Sequence, residues 1–391
     1  MSRRNKITVI IIAITAVAAG VVLFLWLQPD ETPVTPEPGN EPGSQLPLAN
    51  PAPGRFASDD MKTADLESRP ATDNPYPDPN AVIDEEIYSP VLAPSGQGIY
   101  ALSLNDDKLT EYSLAGDKIR NISDQACECA DIVWAPDKRK AFISDNSGPR
   151  IISTAGETYE LNPNVRNGIF SADSDSFAYQ YNDIETNENI MAISNDQGQD
   201  YRNLLSLSLF TGPESGLIIF YEWSPDNYIY LSGEVTDVSG SSVSRVNADT
   251  GDIENLADWG SVSGLSYSPD GEVIAVEKTD IRSSGEPIPA ISFVDPEGES
   301  VSDLTIETFL NKCTWLDDSQ HMVCALSSDF YTGQGQDLIF VYDLESGNKE
   351  QLTGVITDEP FRVTSPFPNA SEDTLYFLNR LNRKLYSIPL P

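Results

Sequence analysis

One histidine, four cysteines, four methionines and only 24 lysines and arginines are found in 391 residues, against 61 aspartates and glutamates. Each shortage excludes something. His321 alone forms no histidine-rich metal site and leaves little room for a Ser-His-Asp triad. It falls in a turn among Asp317, Asp318 and Gln320, where an exposed turn residue is expected. Cys127, Cys129, Cys313 and Cys324 include no Cys-x2-Cys pair, so no zinc site is assigned. A net charge of −37 argues against nucleic acid, whose binding comes mainly from cations neutralising phosphates. An anionic lipid surface is repelled for the same reason. The excess acid reads first as a solvated surface, with salt adaptation or a basic or Ca²⁺-bearing partner as alternatives.

What the chain has in quantity is one repeated phrase. Its cleanest copy is Tyr267-Ser268-Pro269-Asp270-Gly271, followed at once by Val273-Ile274-Ala275. Proline presets φ for the second turn position, aspartate bonds its own backbone, and glycine accepts positive φ. Two apolar runs around so short a turn predict a β-hairpin. Degraded copies follow Leu92, Trp134, Phe170, Trp223, Trp315 and Phe367. Anchored on Ser95, Asp137, Asp173, Asp226, Asp270, Asp317 and Asn369, the intervals are 42, 36, 53, 44, 47 and 52 residues. A hairpin in every unit of that period is the signature of a propeller blade. A second turn recurs in each of several units, as in Ala115-Gly116-Asp117 and Ser346-Gly347-Asn348. The predicted fold is therefore all-β, a seven-bladed β-propeller over residues 80–391. Its last unit holds three strands, and the segment around Ala81–Asp84 is expected to complete it and close the ring, because an open ring exposes two sheet edges.

Turns of the form Ser-Pro-Asp-Gly, with Asp343-Leu344-Glu345-Ser346-Gly347 and Leu352-Thr353 downstream, resemble the repeats of TolB-like propellers, relatives of the WD-repeat family. The resemblance covers roughly residues 85–391. It implies a scaffold that hosts both binding and catalysis, and so it implies extracytoplasmic protein or ligand binding without specifying an activity.

Ahead of the repeats, residues 1–6 are basic and residues 7–27 carry no charge, enough to cross a bilayer as a helix. This stretch reads as an uncleaved signal-anchor with the amino terminus cytoplasmic and the propeller extracellular or periplasmic; cleavage after the anchor is the alternative. Residues 28–79 alternate prolines with acids, glycine, serine and asparagine, the composition of a disordered linker.

Cys313 and Cys324 fall on the two arms of the sixth hairpin, where a cross-strand disulfide fits. Cys127 and Cys129 read as a second disulfide across a short loop, or as thiols. Asp173-Ser174-Asp175-Ser176 and the acid-rich run from Asn182 to Glu188 offer the oxygens Ca²⁺ favours without the spacing of a known loop. No cofactor is assigned, bound Ca²⁺ being the alternative. With 61 acids some pairs meet by chance, so no glycosidase dyad is assigned either.

Alternate connections of an antiparallel blade lie on opposite faces. The second-to-third connections lengthen at Asn182–Asn189, Gly233–Ser242, Lys278–Pro289 and Ser327–Gln336, and the fourth-to-first ones at Phe210–Gly216 and Val355–Phe361. All lie on one face, and long connections are often functional. Asp183, Glu185, Phe210, Trp259, Arg282, Glu286, Phe330 and Tyr331 are the candidate contacts, aromatics as anchors and charges for selectivity. The leading expectation is a monomeric, non-enzymatic binding module for an envelope or extracellular protein or glycan. The alternatives are a carboxylate- or Ca²⁺-dependent hydrolase or lyase on an extracellular glycan or ester, and a purely architectural envelope component.

Overall fold

A computed structural model describes residues 76–125, 127, 131–186, 188–207, 218–233, 243–256, 259, 262–281, 287–327, 335–354 and 360–391. The expected basic tail, membrane helix and most of the linker, residues 1–75, lie outside the described residues. Among those described, no helix is long and apolar enough to cross a membrane.

The first strand, β1 (Asn80–Ile83), precedes seven consecutive groups. Blade 1 is β2 (Ile87–Leu92), β3 (Gly98–Ser103), β4 (Lys108–Ser113) and β5 (Lys118–Asn121). Blade 2 is β6 (Asp131–Trp134), β7 (Lys140–Asp145), β8 (Gly148–Ser153) and β9 (Thr158–Glu160). Blade 3 is β10 (Val165–Phe170), β11 (Ser176–Asp183), β12 (Glu188–Asn195) and β13 (Arg202–Ser206). Blade 4 is β14 (Ile218–Trp223), β15 (Tyr228–Gly233), β16 (Ser244–Asn247) and β17 (Ile253–Asn255). Blade 5 is β18 (Val262–Tyr267), β19 (Ile274–Ile281), β20 (Pro287–Val294) and β21 (Ser300–Ile306). A 3-10 turn, Leu310–Lys312, leads into blade 6: β22 (Cys313–Trp315), β23 (His321–Ser327), β24 (Asp337–Asp343) and β25 (Lys349–Gln351). Blade 7 takes β26 (Val363–Pro368), β27 (Thr374–Asn379) and β28 (Lys384–Pro389), with β1 antiparallel to β28 as the fourth strand. Six sheets are antiparallel meanders and the seventh is antiparallel with β1 added beside β28, and the architecture is the all-β, seven-bladed propeller that the repeats predict.

First strands of neighbouring blades touch, as in β6–β10, β10–β14, β14–β18 and β22–β26, and they form the inner side of the array. Side chains alternate along each strand, so both sheet faces meet a neighbour and both are apolar. Blades 6 and 7 share Val323, Ile339, Val341, Phe361, Val363 and Phe377, all buried. Ile83, Ile87, Ile99 and Tyr112 pack with Tyr376, Leu378 and Leu385, which gives the first and last blades a common core.

The repeated phrase works as its chemistry requires. Ser268 N–H donates to Val273 O and Gly271 N–H to Ser268 O, while Asp270 accepts the Glu272 N–H. Gly271 has φ +78°, and the same turn position is left-handed in every blade: Gly96, Lys138, Ser174, Asn227, Ser319 and Glu372. This alignment moves two anchors. The counterparts of Asp270 are Asp318 and Ser371, one and two residues beyond the expected Asp317 and Asn369.

Two expected long connections are strands instead. β11 and β12 pair out to Asp183–Glu188, and β19 and β20 out to Ile281–Pro287. Pairing satisfies backbone groups that a loop would leave to water. The connections 210–216, 234–242, 328–334 and 355–359 lie outside the described residues.

Candidate functional site

A cationic cavity lies on the connection face, where blades 6 and 7 meet. Its volume is about 470 Å³, and Phe309, Asn311, Lys312, Ser327, Arg362, Val363, Thr364, Arg380 and Leu381 line it. Three separate connections build it: the turn before β22, the segment before β26, and the β27–β28 turn.

Each piece is fixed from beneath. Glu277, nearly buried on β19, accepts the Leu310 N–H at 2.6 Å and the Ser263 hydroxyl at 2.6 Å, which holds the 3-10 turn bearing Lys312. Directly after it, Cys313 and Cys324 face each other across β22–β23 and are disulfide-bonded, with Cα atoms 4.1 Å apart. Asn379, wholly buried at the end of β27, accepts N–H bonds from Arg362 and Leu381. The Arg380 N–H donates to the Arg362 carbonyl at 2.8 Å, so the last two pieces move together.

One carboxylate organises the charges. Asp337, 2% exposed, accepts both bonds from Lys312 Nζ at 2.9 and 2.8 Å and the Val363 N–H at 2.8 Å. Arg362 Nη1 stands 4.0 Å from the same carboxylate and donates to Ser327 Oγ at 2.9 Å. Arg362 Nη2 is buried without a hydrogen-bond partner among the described residues. Arg380 is exposed, and its guanidinium makes no ion pair or hydrogen bond among the described residues. Phe309 and Leu381, 42% and 57% exposed, supply the apolar rim. Two cations thus share one buried acid, and a third shares none.

Of the residues chosen from the sequence, Asp183 and Glu185 sit on the same face at the β11–β12 tip. Asp183 Oδ1 accepts the Glu185 N–H at 2.9 Å, so its carboxylate caps its own turn. Trp259 is placed in the core instead of on a surface: it is 5% exposed and stacks on Tyr230 at 6.0 Å. Phe210, Arg282, Glu286, Phe330 and Tyr331 lie outside the described residues. Cys127 is buried and disulfide-bonded; its assignment to Cys129 lies outside the described residues. Asp173 accepts the Ser171 hydroxyl at 2.5 Å and the Asp175 N–H at 3.1 Å, and the Ser171 bond holds its carboxyl below the usual range. Among the described residues, no group of three or more His, Cys, Asp or Glu is placed to hold a metal. His321 bonds Asp318 at 2.6 Å in its turn.

Lys312, Arg362, Arg380, Asp337 and Asn379 escaped the sequence reading. Scarcity was the available signal: with 24 cations in the chain, three fall at connection ends of neighbouring blades.

A second charged pair lies on the turn side. Glu222, half-buried on the inner strand β14, is crowded by protein, and burial pushes its carboxyl up to about 7, with Lys138 pulling the other way. Lys138 occupies the left-handed turn position of blade 2, and burial lowers its ammonium.

Comparison with known proteins adds the fold and no more. No family model matches the chain, and neither does any curated protein. An oligogalacturonate lyase in complex with manganese aligns with TM-score 0.56 and 12% identity over 78% of this chain and 89% of that one. A second, from Vibrio parahaemolyticus, gives 0.57 and 12% over 80% and 92%. The Cps50 (Swd1) β-propeller domain of Myceliophteria thermophila gives 0.52 and 9% over 80% and 98%. A putative TolB from Agrobacterium tumefaciens also aligns, at 0.41 and 16% over 70% and 94%. What the chain shares with the lyases and the Cps50 domain is the β-propeller fold, here with seven four-stranded sheets.

Proposed function

We propose that the chain is a membrane-anchored, extracytoplasmic propeller that binds a protein or small ligand through its connection face and catalyses no reaction. The observation that carries this reading is the cleft between blades 6 and 7, where Lys312, Arg362 and Arg380 line one cavity of a strongly acidic chain. Three cations around one buried acid among the described residues support a surface that receives an anionic partner. The uncharged residues 7–27 support the anchor, and 28–79 support a stalk that lifts the propeller from the bilayer. Pairing of β1 with β28 supports reading that strand as the clasp of the ring, since it covers an edge that would otherwise recruit other strands.

The full chain, immobilised and offered arrays of envelope proteins and glycans, tests the reading. Phe309→Ala and Arg380→Ala are expected to abolish capture that Asp226→Ala and Asp249→Ala on the turn face leave intact. Equal loss from both sets overturns it. Protease added to intact cells is expected to clip the propeller, and full protection overturns the external placement.

The competing reading is a lyase or hydrolase on an extracellular glycan. Its support is the shared fold with oligogalacturonate lyases, one of them in complex with manganese. A polysaccharide panel assayed with and without chelator decides between the two: product formation establishes the enzyme.

A further inference from the structure

We infer that the blade 6–7 cleft binds a hexuronic acid, as a free sugar or as the end of an acidic oligosaccharide, with its carboxylate between Arg362 and Arg380. This rests on the binding reading above and names the ligand class for that site.

The argument begins with charge. Asp337 is held by Lys312 at 2.8 and 2.9 Å and stands 4.0 Å from Arg362, so one negative charge meets two positive ones. Arg380 adds a third with no acidic partner, and no acid lines the cavity, among the described residues. Among the described residues the lining is therefore net positive in a chain of charge −37, which favours an anion. Guanidinium groups pair bidentately with carboxylates and phosphates alike, and the sugar-like lining described next favours the carboxylate of an acidic sugar. Arg362 spends Nη1 on Ser327, while Nη2 has no partner among the described residues.

The rest of the lining fits a sugar ring. Asn311 and Thr364 offer an amide and a hydroxyl to ring hydroxyls, and the partly exposed Phe309 lines the same cavity. An aromatic face suits the C–H side of a pyranose, and Leu381 widens the apolar wall. A volume of about 470 Å³ falls within the range of small-ligand sites and accommodates one or two rings. An acidic peptide also carries carboxylates, and the extended groove or sheet edge that most peptide backbones dock on is not among the features of the described residues that build this cavity.

Titration of the full chain with glucuronate, galacturonate and their dimers, beside glucose, galactose and inorganic phosphate, tests the inference. Uronates are expected to bind, neutral hexoses to bind at least about tenfold more weakly, and added salt to weaken the uronates alone. Arg380→Ala is expected to weaken uronate binding by about tenfold, and Arg380→Glu to abolish it, with thermal unfolding unchanged because that side chain is exposed. Arg362→Lys, which keeps the charge and loses the planar fork, is expected to fall in between. Equal affinity for neutral hexoses overturns the inference, as do tighter binding of phosphate, capture of acidic peptides in place of uronates, or an unaffected Arg380→Ala variant. If uronates fail while the connection-face variants still lose array capture, the ligand class falls and the binding reading stands.

Discussion

The two faces of this propeller spend their polar groups differently. On the turn face, capacity is consumed internally. Ser171, Ser224 and Ser268 donate to Asp173, Asp226 and Asp270 within their own turns. Neighbouring blades are then stitched together: Asp137 N–H reaches Ser174 Oγ at 3.0 Å, Asp270 N–H reaches Ser319 Oγ at 3.0 Å, and Asp317 N–H reaches Glu372 Oε1 at 2.6 Å. On the connection face above blades 6 and 7, Arg380 and one amino group of Arg362 are left over among the described residues. Saturated polar groups rigidify a scaffold, and unsaturated ones are available to a partner. The contrast teaches that sequence repeats mark the half of the molecule that joins blade to blade, while the proposed recognition site lies where the repeats break down.

The sharpest way to break that contrast is to remove the acid beneath the cleft. Asp337→Ala leaves Lys312 and Arg362 facing each other without a buried counter-charge and strips the Val363 N–H of its acceptor. Breaking a buried pair in this way costs about 3–5 kcal/mol. Urea unfolding should show a loss of that size. A change below about 1 kcal/mol would mean that the three cations are solvated independently and that the cleft is no organised unit.

A smaller effect is expected on the opposite face. Ser268 Oγ donates to Asp270 at 2.6 Å and accepts the Val273 N–H at 3.0 Å, so Ser268→Ala removes two bonds from one turn. The expected cost is about 1–3 kcal/mol, because a partly buried N–H loses its acceptor. Binding at the cleft should be untouched, and a parallel fall in both properties would show that the faces are coupled.

How far the sequence revealed this molecule follows the same division. Turn chemistry is local: Pro269, Asp270 and Gly271 announce a turn because each is suited to one position in it. The copies look degraded because only Gly96 and Gly271 keep glycine where every blade is left-handed; Lys138, Ser174, Asn227, Ser319 and Glu372 are held there by the surrounding fold. The cleft is not local. Lys312, Arg362 and Arg380 come from three connections without a motif and meet only because blades 6 and 7 pack. Polar tips such as Asp183 and Asp280 made the long hairpins of blades 3 and 5 resemble loops. Trp259 seemed available as a loop aromatic, yet it is pressed under the outer turn of blade 5, where a Cβ on Gly298 would lie 2.5 Å from its indole nitrogen.

The gentlest test concerns Glu222, the turn-side acid whose environment works against its charge. Burial raises its carboxyl from 4.5 to about 7, more than the attraction of Lys138 offsets. Between those values the folded chain binds a proton that the unfolded chain has released, so stability must fall as pH rises through that window. Below the lower value both states are protonated and the penalty vanishes; above about 7 it is complete. A shift of this size corresponds to a ceiling of about 3 kcal/mol, and the solvent that a half-buried side chain retains lowers the expectation to roughly 1–2 kcal/mol. Glu222→Gln should therefore stabilise the protein at pH 8 and leave it unchanged at pH 4, as read by thermal or urea unfolding at both. Equal effects at the two pH values would assign the change to packing. Destabilisation at pH 8 would mean that Lys138 and Glu222 form a favourable pair, extending to the interior of the ring the self-neutralisation already seen in its turns.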